Sequence, residues 1–188
     1  MSKVFTTSDF HFGHKAICKY RDQFKTPDEH DEYIMEQFRK VVGKRDLTYF
    51  LGDMAFTEEG LDKIATLPGR KRLIMGNHCF QHYKGYQSKV FEVFEEVLGS
   101  KKYKGAWLTH IPIHPDELRG NYCIHGHGHT FELDDSRYQS VCLEITDYKP
   151  VEIKDVIEGL QAANPEYEKA RLQKLEDRFN GKIEMDEM

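Results

Sequence analysis

No stretch of this sequence approaches the roughly 18 consecutive apolar residues of a membrane-spanning helix. Met1 to Ser8 show no charged leader, apolar run and small-residue cleavage site, so neither anchor nor secretory signal is expected and the expected location is the cytoplasm. Cysteine is sparse: Cys18, Cys79, Cys123 and Cys142 are widely scattered without a C-x-x-C pair, which argues for buried, reduced thiols over a disulfide scaffold or zinc knuckle. Positive charge is also short, with 27 Lys and Arg against 32 Asp and Glu and a formal net charge of -5. Sequence-independent grip on a nucleic-acid backbone normally uses a basic stripe, so stable nucleic-acid binding is not expected. Linkers, internal repeats and low-complexity segments are missing too. A chain of 188 residues, 39% hydrophobic, then fits one domain over residues 1–179, with the polar residues 180–188 as a frayed tail.

What the chain does have is five short clusters of Asp, Asn and His: Asp9-Phe10-His11, Gly52-Asp53, Gly76-Asn77-His78, His110, and Gly126-His127-Gly128-His129. Each follows a predicted strand, over Lys3–Ser8, Asp46–Leu51, Arg70–Met75, Ala106–Thr109 and Tyr122–His125. In open α/β sheets loops converge at strand ends, so five clusters in one relative position can meet in space. Helical signals lie between the strands. Thr26-Pro27-Asp28-Glu29 reads as an N-cap, a first-turn proline and two acids at the positive end of the dipole, opening a helix through Ile34 and Phe38 that ends near Gly43. Thr57 opens a second helix through Leu61 and Ile64. The alternation predicts an α/β layered domain. In the second half, Glu96–Gly99 and Lys104–Thr109 are expected to pair as a hairpin, Tyr138–Ile145 to form a strand, and Val151–Ala163 and Pro165–Phe179 to form helices. Leu172, Leu175 and Phe179 give the last helix an apolar stripe expected to dock on the domain.

Carboxylate, amide and imidazole ligands in these numbers, with no cysteine among them, suit two borderline divalent cations. Glycines beside Asp53, Asn77 and His127 let backbone approach an ion and adopt positive φ, and in extended chain Asp9 and His11, like His127 and His129, share a face.

The ordered series D-x-H, G-D, G-N-H, a lone His and G-H-x-H resembles the signature of the calcineurin-like metallophosphoesterase superfamily, over Val4 to about Pro150. Ser8 to His14 and Thr109 to Pro115 look like its small stand-alone bacterial and phage members. The resemblance implies two mixed β-sheets packed as a sandwich flanked by helices. It implies one metal held by Asp9, His11 and His129, another by Asn77, His110 and His127, and Asp53 bridging them. The ions would be two divalent metals drawn from Mn, Fe, Zn, Ni and Co, and the reaction direct attack of a bridging hydroxide on a phosphate ester, with His78 assisting the leaving group. A phosphodiester is favoured: a nucleotide, cyclic nucleotide or nucleic-acid end. A phosphomonoesterase, a nucleotide pyrophosphatase, a nuclease and a catalytically silent interaction scaffold are the alternatives.

Two departures matter. Cys79 stands where the superfamily usually has Asp or Glu after the histidine, so His78 is expected to find a backbone carbonyl partner or to act as a weaker acid. Gly52-Asp53 is followed by Met54-Ala55-Phe56-Thr57 rather than the D-R-G extension of phosphoprotein phosphatases, which argues against that activity. Arg119, His14 and His114 are the candidate contacts to a small phosphorylated substrate. Phe10, Phe12, Phe56 and Phe80 are expected to seal the metals from bulk water, and His30, His82 and His125 to be structural or solvated.

Overall fold

In the computed structural model the chain runs, in order, through β1 (Val4–Thr7), α1 (Pro27–Val41), β2 (Leu47–Leu51), α2 (Glu58–Ala65), β3 (Arg70–Ile74), α3 (Asn77–His82), α4 (Gln87–Val93) and β4 (Glu96–Leu98). It continues through β5 (Lys101–Tyr103), β6 (Ala106–Thr109), β7 (Tyr122–His125), β8 (Tyr138–Ser140), β9 (Val151–Glu152), α5 (Ile153–Ala163) and α6 (Pro165–Phe179). The structure describes residues 2–82 and 85–180, without the side chains of Phe80 and His82. The expectations for those two side chains, and for the tail beyond residue 180, lie outside the described residues.

The strands form two mixed sheets, ordered β4-β3-β2-β1-β9 and β5-β6-β7-β8. β1 to β4 run parallel, as do β6, β7 and β8, while β9 and β5 are antiparallel edge strands. Register places Thr7 opposite Phe50, Leu51 opposite Ile74, and Thr109 opposite His125. The C-terminal ends of neighbouring parallel strands are therefore level. Their loops leave from a shared edge, and these are the loops that carry the Asp, Asn and His clusters.

Both predicted caps form: Thr26 Oγ1 accepts from Glu29 N at 3.1 Å and Thr57 Oγ1 from Gly60 N at 3.0 Å. α1 then buries Ile34, Met35 and Phe38, and α2 buries Leu61 and Ile64, against Phe5, Phe50 and Leu73 on one face of the first sheet. The opposite face contributes Tyr49, Leu51 and Ile74 to a core shared with Ala106, Leu108, Tyr122 and Ile124 of the second sheet. α5 adds Ile153, Ile157 and Leu160 to that core and contacts strands of both sheets, closing its side. No helix among the described residues is long and apolar enough to cross a membrane.

Four expectations change. Glu96–Leu98 joins β3 in parallel, and the hairpin is instead β5–β6, turning at Lys104 and Gly105 with φ of 47° and 85°. The Tyr138–Ile145 strand stops at Ser140, and the helix expected from Val151 is preceded by β9, since Val151 and Glu152 pair with β1 before α5 begins. α6 buries no residue and leaves Leu172, Leu175 and Phe179 exposed, so the stripe does not dock. Its first turns engage the domain, through Tyr167 to the Asn121 carbonyl and Glu168 to the Tyr122 hydroxyl.

Phe50 packs its ring 5.8 Å from Phe38, 5.6 Å from Phe10 and 5.5 Å from Phe94. Phe50→Ala is expected to cost about 3–5 kcal/mol of unfolding free energy, against about 1 kcal/mol for the exposed cap change Thr26→Ala, both read by urea titration.

Candidate metal centre

Asp9 sits directly after β1 and is fully buried. Its two oxygens are treated differently. Oδ2 accepts from the Ser8 hydroxyl at 2.5 Å, from His127 N at 2.9 Å and from the Cys142 thiol at 3.3 Å. Oδ1 has no hydrogen-bond partner. It faces the Nε2 atoms of His11 at 3.5 Å and His129 at 3.9 Å, distances too long for well-formed hydrogen bonds. Both ring nitrogens of His11 are likewise buried and unpartnered. A carboxylate oxygen and converging imidazole nitrogens without protein partners are costly to bury unless a cation lies among them.

The ring of His129 is oriented from behind. Its Nδ1 donates to Glu144 Oε1 at 2.8 Å, which leaves Nε2 for the centre. Glu144 is in turn held by Arg21 Nε at 2.8 Å, and Arg21, buried to 1% exposure, also donates to the carbonyls of Asp9 at 2.7 Å and Phe10 at 3.2 Å. A further Arg21 nitrogen meets His30 Nε2 at 2.7 Å, and His30 Nδ1 meets Asp31 at 2.8 Å.

The second group is built on Asp53, after β2. Asp53 Oδ2 lies 3.2 Å from His110 Nε2, and Oδ1 accepts from His78 N at 3.0 Å. His110 Nδ1 donates to the Leu51 carbonyl at 2.7 Å, so its Nε2 faces Asp53 and also Asn77 Oδ1 at 2.8 Å. The His127 ring packs 5.1 Å from that of His110. Ligand atoms of Asp9, His11 and His129, and of Asp9, Asp53 and His110, lie within 4.8 Å of one another in each set, and these buried groups could hold a metal ion.

The backbone reaches this arrangement by a different route from the expected one. Asp9, His11, Asp53, His127 and His129 all have positive φ, between 49° and 68°, so the pairs two apart converge through left-handed residues rather than along an extended chain. Such conformations cost of order 1–3 kcal/mol each and persist where surrounding contacts enforce them. Of the flanking glycines only Gly52 has positive φ; a Cβ on Gly76 would strike Asp53, and one on Gly126 would strike Ser8 and Asp9.

Burial works to raise the Asp9 carboxyl, yet the rings of His11, His110 and His129 hold it well below the usual carboxylate range. Burial pushes the His11 imidazole down and favours its neutral, ligating form. His129 is raised by the Glu144 carboxylate. His110 is raised because the pull of Asp53 and Asp9 outweighs its burial. Glu144, despite burial, is lowered to about 2 by His129 and Arg21.

Beside His11 and His129 opens a cavity of about 570 Å³, which His14, Phe56, His78 and Gln81 also line. His78 Nδ1 lies 3.1 Å from Gln81 Oε1, so a side-chain amide is one partner of its ring. Cys79 is buried, its sulfur accepting from Gly76 N at 3.3 Å. His14 thus reaches the cavity as expected. Arg119 and His114 do not line it: both are exposed at the two ends of the Pro115–Leu118 turn and paired with that turn's own acids, Glu117 and Asp116. Phe10 and Phe12 are core residues, whereas Phe56 stands beside His11 and His14 at centroid distances of 4.9 Å and 4.7 Å. His30 and His125 are buried and hydrogen-bonded.

Sequence reasoning missed Arg21, Glu144, Gln81 and Tyr20, the last of which also lines the cavity. None lies in a strand-end cluster, and Glu144 falls inside the run misread as a strand.

No family model matches the chain. It is 31% identical over 163 residues to the Gene 66 protein of Mycobacterium phage L5, covering 69% of this chain and 79% of that protein. It is 29% identical over 174 residues to an uncharacterized protein of Methanocaldococcus jannaschii, covering 86% of this chain and 93% of that one. The crystal structure of a protein of unknown function from Aquifex aeolicus superposes with a TM-score of 0.66 at 25% identity, covering 84% of this chain and 99% of that chain.

A raised histidine carries its proton up to a higher pH, and a metal must displace that proton. Mn titrations by calorimetry in buffers of different ionisation enthalpy are therefore expected to show proton release between about pH 6 and 8, with affinity rising with pH. Glu144→Gln removes the carboxylate that raises His129. It should reduce the proton release and lower Mn affinity about 10–100-fold.

Proposed function

The chain belongs to the family of the Gene 66 protein of Mycobacterium phage L5, and from the centre it carries we propose that it is a metal-dependent phosphoric ester hydrolase of the calcineurin-like metallophosphoesterase superfamily, acting on phosphodiesters. One observation carries the reading: Asp9 Oδ1 and both ring nitrogens of His11 are buried without protein partners, at a point where further Asp and His ligand atoms converge within 4.8 Å. The donor set, carboxylate, imidazole and amide without thiolate, fits Mn, Fe, Zn, Ni or Co.

In this reading Asp9, His11 and His129 would hold one divalent ion, and Asn77, His110 and His127 a second, with Asp53 available to both. When bound, the ions supply Lewis acidity: positive potential for the phosphoryl oxygens and a lowered pKa for water. The protein does the rest. Leu51 and Glu144 fix the rings of His110 and His129 from behind, and the Ser8 hydroxyl and the His127 amide fix Asp9. His78 lines the cavity wall beside the centre and gives a proton to the departing alcohol oxygen, its ring oriented by Gln81. A neutral amide orients that ring without adding charge.

The preference for diesters rests on the cavity lining, where the described residues include neither Lys nor Arg to meet the second charge of a monoester dianion. An interaction scaffold would need none of the orienting bonds behind His110 and His129.

The test is hydrolysis of bis(p-nitrophenyl) phosphate and p-nitrophenyl phosphate by Mn-loaded protein, with metal content measured in parallel. The diester is expected to turn over faster. Asp53→Ala should lose both metal and hydrolysis, whereas His78→Ala should keep its metal and lose about 10²–10⁴-fold on esters of poor leaving groups. Metal-replete wild-type protein inert towards every ester class would overturn the assignment.

A further inference from the structure

The cavity beside the centre is much larger than a phosphoryl group needs. At about 570 Å³ it lies in the range of pockets for small organic ligands, and His14, Ile17 and Tyr20 line it together with His11 and His129. The rings of His14 and Tyr20 lie nearly parallel, 17° apart with centroids at 6.3 Å, and the Phe56 ring stands edge-on to His14 at 4.7 Å. Tyr20, which lines this cavity, is 78% exposed, so the fold leaves much of its ring uncovered.

The polar groups of the lining sharpen the choice. Among the described residues no Lys or Arg lines it, so a distal phosphate or sulfate finds no described cationic partner there. Glu144, the one carboxylate among the described lining residues, is engaged by Arg21 and His129 and would repel an anion. Sugar alone would leave the ring faces unused. A planar, uncharged group uses them, because aromatic faces stack on any base with little regard to its identity.

His78, the proposed proton donor to the departing oxygen, lies in the same wall, its ring 5.5 Å from that of Phe56. The group filling the cavity is then the one attached to that oxygen. We propose that the cavity receives the planar, uncharged organic part of the alcohol released on hydrolysis, of nucleoside size, and that Tyr20 and His14 are its specificity-determining contacts. This rests on the phosphoesterase reading above. In the step itself the P–O bond to the alcohol breaks, its electron pair and a proton go to the alcohol oxygen, and water supplies the oxygen newly bonded to phosphorus.

The experiment is calorimetric binding of AMP, ribose 5-phosphate and inorganic phosphate to Mn-loaded wild type, Tyr20→Ala and Tyr20→Phe, with bis(p-nitrophenyl) phosphate hydrolysis measured on the same preparations. AMP is expected to bind wild type about tenfold more tightly than ribose 5-phosphate. Tyr20→Ala should bring the two ligands within about twofold while inorganic phosphate affinity holds, and Tyr20→Phe should keep the preference. Equal binding of AMP and ribose 5-phosphate by a wild type that hydrolyses the diester overturns the cavity assignment alone. A parallel loss of AMP and inorganic phosphate affinity in Tyr20→Ala overturns it too. Absence of both phosphate binding and hydrolysis overturns it together with the phosphoesterase reading.

Discussion

Everything at the centre depends on a single carboxylate held out of water with only half of its hydrogen-bonding capacity used. Asp9 is completely buried, and the fold commits three donors, from Ser8, His127 and Cys142, to one of its oxygens while leaving the other bare. Burying charge in that state is expensive unless compensated, and the bare oxygen faces the ring nitrogens of His11 and His129, where a cation would supply the compensation. The same residue joins the sheets. Its backbone N–H donates to Gly52 at the end of β2 at 3.2 Å, and its carboxylate takes the amide of His127 beyond β7.

Arg21 is what lets this arrangement persist in a strained backbone. A guanidinium offers five donors in a rigid fork, and here it spends them on two carbonyls flanking the left-handed turn at Asp9, on Glu144 behind His129, and on His30. His30, pushed towards its neutral form by burial, passes the chain on to Asp31, which Lys63 anchors at 2.8 Å. One buried cation thus couples the geometry of Asp9 to that of His129, and through α1 to α2. Lysine has neither the reach nor the number of donors to do the same.

The fold class and the places of the clusters were legible because they rest on local rules. Apolar β-branched runs ending in Gly, Asp or Asn marked the strand ends, and Thr26 and Thr57 marked helix starts whose side chains cap as expected. What could not be read was anything decided by pairing across the chain. Whether Glu96–Leu98 turns back on its neighbour or lies beside β3 is a choice of sheet, and Arg72 facing Glu96 at 3.2 Å belongs to the answer. Arg21 and Glu144 were invisible for the same reason: 123 positions separate them, and neither stands in a motif. Arg119 was misjudged because proximity in sequence to two clusters says nothing of direction, and an adjacent Glu117 was the better partner. At the ligands the expected convergence arrived through left-handed residues, a conformation that propensity assigns to glycine rather than to Asp and His.

The division of the ligands between two sheets has a consequence for how the protein is made. Asp9, His11, Asp53 and Asn77 leave the ribosome well before His110, His127 and His129, and the bond joining Asp9 to His127 spans 118 positions. A nascent chain therefore carries an acidic, half-built cradle until its second sheet has been synthesised and has docked. On the proposed reading, ion capture would belong to the closing stage of maturation, after the long-range contacts that are slowest to form.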